Sequence, residues 1–168
     1  MKKIYLLSIA LFLVCAANAQ TEFTVPTLTL QQRCDGNRDM VYNYIISSIN
    51  LAKSDGMTVE EFAKKSGEVF IPVWDKDTGF DGFVNYMLGY WAKLSDSVQI
   101  IEQSNEKVVF VVPHIYPWFE NQGVFVGVSL EELTTFVNEV HKVIANHFDL
   151  GFEMTWGEEG LKTAITQE

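Results

Sequence analysis

The sequence predicts an α+β domain: three N-terminal helices, then an antiparallel sheet of about four strands, with one long helix between two hairpins. Three observations carry this. Apolar residues recur at helical spacing as far as Leu94, and the period changes to that of strands from Val98. Capping boxes at Thr58 and Ser129 mark two helix starts. Of the 168 residues, 48% are hydrophobic and 20% charged, which excludes a disordered chain and leaves length for one core.

Met1-Lys2-Lys3 is a basic start, Ile4 to Ala17 is apolar apart from Ser8, and Ala17-Asn18-Ala19 is a small-x-small cleavage site. This predicts a secretory signal over 1–19, a mature N-terminus at Gln20, and a single exported domain over 20–168. The apolar run is shorter than the roughly 20 residues that span a bilayer. Val14 stands where a lipoprotein leader needs a small residue before Cys15. No later window approaches membrane length without charges, so no membrane insertion is expected. Cys15 leaves with the leader, so Cys34 has no partner for an intramolecular disulfide.

Residues 20–36 alternate weakly and read as a lead-in strand or a flexible arm. A first helix is expected after Asn37, running to about Lys53, with Val41, Tyr44, Ile45, Ile49 and Ala52 on its buried face; Ser54-Asp55-Gly56 stops it. Thr58-Val59-Glu60-Glu61 opens the second helix, which ends before Pro72. The third follows Asp81, with Phe83, Val84, Met87, Leu88, Trp91 and Leu94 recurring at three and four, and Tyr86 and Tyr90 on its other side. Val98–Glu102 and Lys107–Val112 flank Ser104-Asn105-Glu106 as a hairpin whose second strand, nearly all Val and Phe, is central. Residues 123–128 suggest one short strand. Ser129-Leu130-Glu131-Glu132 opens the long helix, with Leu133, Phe136, Val137, Val140, Ile144 and Phe148 on one stripe. Glu139, Lys142 and Asn146 are expected to face water. Phe152 to Ile165, turning at Gly157-Glu158-Glu159-Gly160, close the chain as a second hairpin.

From residue 107 onward, the Pro- and Gly-broken loop after the strand, the helix 130–148 and the closing strands with their acidic Gly turn resemble one known fold. It is the ligand-binding fold of 4-vinyl-reductase-type and 2-aminothiazoline-4-carboxylate hydrolase-like domains. The resemblance implies a pocket between helices and sheet. It carries over no catalytic or metal residue, since those families tend to place a cysteine where this chain has Leu161-Lys162-Thr163-Ala164-Ile165.

Charge narrows the partners. With 22 acidic against 12 basic side chains the chain carries −10, and loss of Lys2 and Lys3 takes it to −12. Such a surface repels phosphate backbones, so nucleic acid is not an expected partner. Arg33 and Arg38, the only arginines, bracket Cys34 near the expected helix start, a candidate anion site or an environment that activates a thiol. The competing reading is that they pair with Asp35, Asp39 or another acid. His114, His141 and His147 show no metal-ligand spacing, and His147 falls in the apolar arc of its helix with His141 at the edge. Asp75 to Gly82 fails the calcium-loop pattern, with Gly79 one place early and Tyr86 in place of the closing Glu; it reads as a solvated loop capping the third helix through Asp81.

Aromatics carry the functional reading. His114, Tyr116, Trp118 and Phe119 crowd one loop between Pro113 and Phe119, while Tyr86 and Tyr90 stand one turn apart. Tyr and Trp offer apolar faces with polar tips, which suits a pocket for a small apolar or aromatic molecule. Tyr86, Tyr90, His114, Tyr116 and Trp118 are therefore the expected ligand-binding residues, in a pocket between the sheet, the third helix and the 113–119 loop. The same aromatics equally suit a loop folded down on the core. No catalytic residue, metal or cofactor is expected, because phosphate loops, GxSxG and Ser-His-Asp signatures are missing. Two other functions stay open: a small hydrolase using Cys34 or a histidine, and an envelope interaction protein with an exposed aromatic loop.

Overall fold

Helix α1 runs from Leu30 to Ser54, two turns earlier than its expected start after Asn37. Thr29 opens it with a third capping box. The Thr29 hydroxyl accepts from the Gln32 amide at 3.2 Å, and the Gln32 side chain accepts from the Thr29 amide at 2.9 Å. The computed structural model describes residues 26–168 except 76, 114, 117, 118 and 120–122, so the leader lies outside the described residues. Cys34–Glu168 forms one compact unit, and Pro26–Arg33 is described only by itself.

Within that unit the buried face of α1 is Tyr42, Ile46, Ile49 and Ala52. Val41 and Tyr44, expected inside, are exposed. Two adjacent stripes share the helical period here, and periodicity cannot say which one meets the core.

Helix α2 (Val59–Phe70) carries the expected capping box, with Thr58 and Glu61 each satisfying the other's amide. A short 3-10 turn over Ile71–Val73 follows at Pro72. Helix α3 spans Gly79–Leu94 and buries Phe80, Phe83, Val84, Met87, Trp91 and Leu94. Asp81 lies within its first turn instead of capping it, and the capping position, Thr78, makes no side-chain cap bond. The preceding loop is tied by its own atoms: the Asp77 amide donates to the Asp75 carboxylate and the Thr78 hydroxyl to the Asp75 carbonyl.

Strands β1 (Gln99–Gln103) and β2 (Lys107–Val112) form the first hairpin. A miniature hairpin, β3 (Val124–Phe125) and β4 (Val128–Ser129), replaces the single strand expected there. Helix α4 (Leu130–Asn146) opens with the Ser129/Glu132 capping box. Strands β5 (Leu150–Gly157) and β6 (Gly160–Gln167) close the chain. The four-stranded sheet has the order β1-β2-β6-β5, antiparallel throughout, so β2 is central. Rows such as Val108, Ile165, Phe152 and Phe110, Thr163, Met154 lie side by side across three strands and supply the core face.

On α4, Val137, Val140 and Ile144 are buried, and Lys142 and Asn146 are exposed. Glu139 is only half-exposed, because Asn138 donates to its carboxylate at 3.2 Å and Lys142 approaches it at 3.7 Å. The helix ends at Asn146, so Phe148 joins the core from the turn. Helices α2 and α4 meet closely at Gly67, where even a Cβ would stand 2.9 Å from the Val140 carbonyl oxygen. That approach seats the aromatic pair Phe62 and Phe136, stacked at 5.2 Å, one turn away.

Candidate functional site

The four helices do not close completely. A cavity of about 560 Å³ remains between them, within the range of small-molecule pockets. Ile45 and Ser48 of α1, Phe62 and Ser66 of α2, Tyr86 and Tyr90 of α3, and Phe136, Val137, Val140 and His141 of α4 form its walls. Trp74, held between the 3-10 turn and α3, completes them. The sheet contributes no lining residue, so the cavity lies among the helices and not between sheet and loop as expected. Its rim is apolar and open to solvent: Tyr44, Phe70, Val73 and Tyr86 are 68%, 51%, 77% and 47% exposed.

Helical spacing explains the aromatic wall. Tyr86 and Tyr90 are one turn apart on α3 and lie nearly parallel at 6.2 Å. Trp74 packs edge-on against Tyr86 at 4.4 Å and against Phe148 at 5.7 Å, which fixes it from two sides. Tyr90 in turn meets the His141 ring at 5.3 Å. Burial pushes the Tyr90 hydroxyl up to about 12, with Tyr86 adding to it, and burial raises Tyr86 as well. Both are neutral at physiological pH. Asp75, at the rim, is the only charged residue among the described residues that line the cavity.

His141 is 6% exposed, and its Nδ1 stands 2.8 Å from the Val137 carbonyl oxygen, four residues back along α4. This reverses the sequence expectation: His141 is inside, and His147, just past the helix end, is exposed. Burial lowers the His141 pKa to about 4, against the opposing pull of the Val137 carbonyl. The unfolded chain takes up that proton near 6.5, the folded chain only near 4, so the unfolded state binds more protons in between. Stability from this group is therefore complete above 6.5 and is lost as pH falls through about 4. The loss amounts to about 3 kcal/mol at 1.36 kcal/mol per pH unit. Denaturant titrations of the parent and His141→Phe between pH 7 and 4 should show their stability difference changing by that amount. A constant difference would show that His141 takes up its proton as readily in the fold as in the unfolded chain.

Of the residues singled out in the sequence, Tyr86 and Tyr90 line the cavity. Tyr116 does not: it is 1% exposed, stacks on Trp156 at 5.7 Å and meets Tyr42 edge-on at 5.3 Å. With Ile115 and Phe119 also buried, the described part of that loop packs as core. His114 and Trp118 lie outside the described residues. With α1 beginning at Leu30, Arg33 closes its first turn and Arg38 lies more than two turns in. Arg38 is paired with Asp35 at 3.2 Å and Asp96 at 3.1 Å, leaving it little capacity for an external anion; Arg33 is exposed. Cys34 is exposed, does not line the cavity, and bonds no histidine among the described residues. Among the described residues no group of three His, Cys, Asp or Glu side chains converges to hold a metal ion. No helix among them is long and apolar enough to cross a membrane.

Phe62, Trp74, Phe136 and His141 were not among the expected ligand-binding residues. A local signal marks the first two: between Phe62 and Tyr90 seven aromatic rings fall in fewer than thirty residues. Comparison with protein-family models, with curated proteins and with solved structures finds no match. The chemistry of the site therefore rests on its own residues.

Proposed function

We propose that this is an exported, non-catalytic domain that binds a small apolar or aromatic molecule in the cavity between its four helices. One observation carries the reading: a space of about 560 Å³ is walled by aromatic and aliphatic side chains and kept open at an apolar rim. A molecule that fills an apolar space of this kind removes its own apolar surface and that of the wall from water and gains close packing contacts. The wall is rigid before any ligand arrives, because Trp74, Tyr86 and Tyr90 brace one another. That lowers the entropy cost of binding. The hydrolase reading, through Cys34 or a histidine, is less well supported: Cys34 lies outside the cavity, and His141, which lines it, bonds only the Val137 carbonyl among the described residues. The aromatic-loop reading is weakened by the burial of Ile115, Tyr116 and Phe119.

Native mass spectrometry of protein purified from its own host tests this. The parent is expected to carry a co-purifying small molecule, and Ser66→Trp, which places an indole in the cavity from a half-buried position on α2, is expected to lose it while staying folded. A bare polypeptide in both spectra would count against the cavity as a binding site.

A further inference from the structure

Apart from the tyrosine hydroxyls, the polar side-chain atoms of the cavity share one character, and this deepens the reading above, on which it rests. The Val137 carbonyl can only accept, so the ring hydrogen of neutral His141 sits on Nδ1 and Nε2 carries a lone pair. No described residue donates to Nε2. His141 lines the cavity, and Nε2 is not among the buried polar atoms that lack a partner, so this edge of the ring is open to accept from a molecule that enters. The two serines are biased the same way. Ser48 donates to the Tyr44 carbonyl at 2.7 Å and Ser66 to the Phe62 carbonyl at 2.8 Å, which spends their hydrogens and leaves lone pairs. The Asp75 carboxylate at the rim is a fourth acceptor, and among the described residues no Lys or Arg lines the cavity.

We propose that His141 Nε2 is the recognition point of the cavity, selecting aromatic ligands that carry an N–H or O–H donor and no negative charge. Among the described lining residues an anionic ligand would meet acceptors and a carboxylate with no cation to balance it, whereas a flat amine or alcohol stacks on the aromatic wall and donates inward. The tyrosine hydroxyls, which can donate or accept, do not discriminate between these classes.

Diphenylamine and diphenyl ether test this directly, because they share size and shape and differ in a single N–H donor. Isothermal titration should show the amine binding the parent protein roughly tenfold more tightly than the ether, the effect of one net hydrogen bond. His141→Phe keeps a flat ring and removes the acceptor, so the two affinities should converge. If that variant proves unstable, nitrogen-15 spectra of the parent decide instead: the His141 Nε2 resonance should move on adding the amine and stay on adding the ether. Equal affinities in the parent, a preference that survives His141→Phe, or an unmoved Nε2 resonance would each overturn the inference while leaving the cavity as a binding site. Failure of both probes to bind would overturn the cavity reading itself.

Discussion

Ile144→Asp is expected to lower the unfolding free energy by about 4 kcal/mol, a large share of the 5–15 kcal/mol typical of such a domain. Ile144 is 4% exposed and belongs to the core that α4 shares with the sheet. A carboxylate there has neither water nor a cation, and it must either stay charged and unpaired or take up a proton. Val140, one turn earlier, provides the internal comparison. It is 8% exposed and lines the cavity, so an aspartate at that position can turn toward the opening; Val140→Asp should cost about 2 kcal/mol. Urea unfolding of the two variants checks both statements. Equal losses would show that the cavity does not admit water to the Val140 position, and a parent-like curve for Ile144→Asp would place that residue outside the core.

The elements that were legible in advance are those whose signals are local. Thr58 with Glu61 and Ser129 with Glu132 mark helix starts because a capping box is a reciprocal bond between residues three apart, written in four letters. Thr29-Leu30-Gln31-Gln32 has the same form, yet the weak alternation before it suggested a strand or arm. The central place of β2 followed from composition: its unbroken Val and Phe suit a strand paired on both edges with the core against it.

Legibility failed wherever two answers have the same period. The stripes Val41, Tyr44 and Tyr42, Ile46 on α1 differ by one residue, and only contacts with distant elements decide between them. Phe148 prolonged the apolar stripe of α4 past its true end and drew the inferred arc toward His147, away from His141. The cavity itself was beyond reach for a related reason. Its walls come from four helices separated by up to about a hundred residues, and the 113–119 loop concentrated aromatics locally without bringing its described ones to that space. Density in the sequence marks where rings are made, and packing decides which of them a ligand could touch.

Gly160→Ala is expected to cost about 4 kcal/mol, although Ala is ordinarily the better residue in a folded chain. Gly160 begins β6 at the tight turn that closes the second hairpin, pairing with Gly157 across it. Its φ is +119°, a conformation that L side chains rarely adopt, which contributes about 1–3 kcal/mol. A Cβ there would also stand 2.5 Å from the Val112 carbonyl oxygen and 2.8 Å from the Pro113 Cα. Both are backbone atoms of the central strand's end, so the neighbour cannot rotate aside as a side chain would, and overpacking adds about 1–3 kcal/mol. Gly56 separates the two causes. Its φ is +81° with nothing within 4 Å of the added Cβ, so Gly56→Ala should carry the backbone strain alone, about 1 kcal/mol. Chemical denaturation of both variants reads the difference. If Gly160→Ala loses no more than Gly56→Ala, β6 has room to move away from Val112 and Pro113, and the close junction between the sheet's two central strands does not limit the stability of the fold.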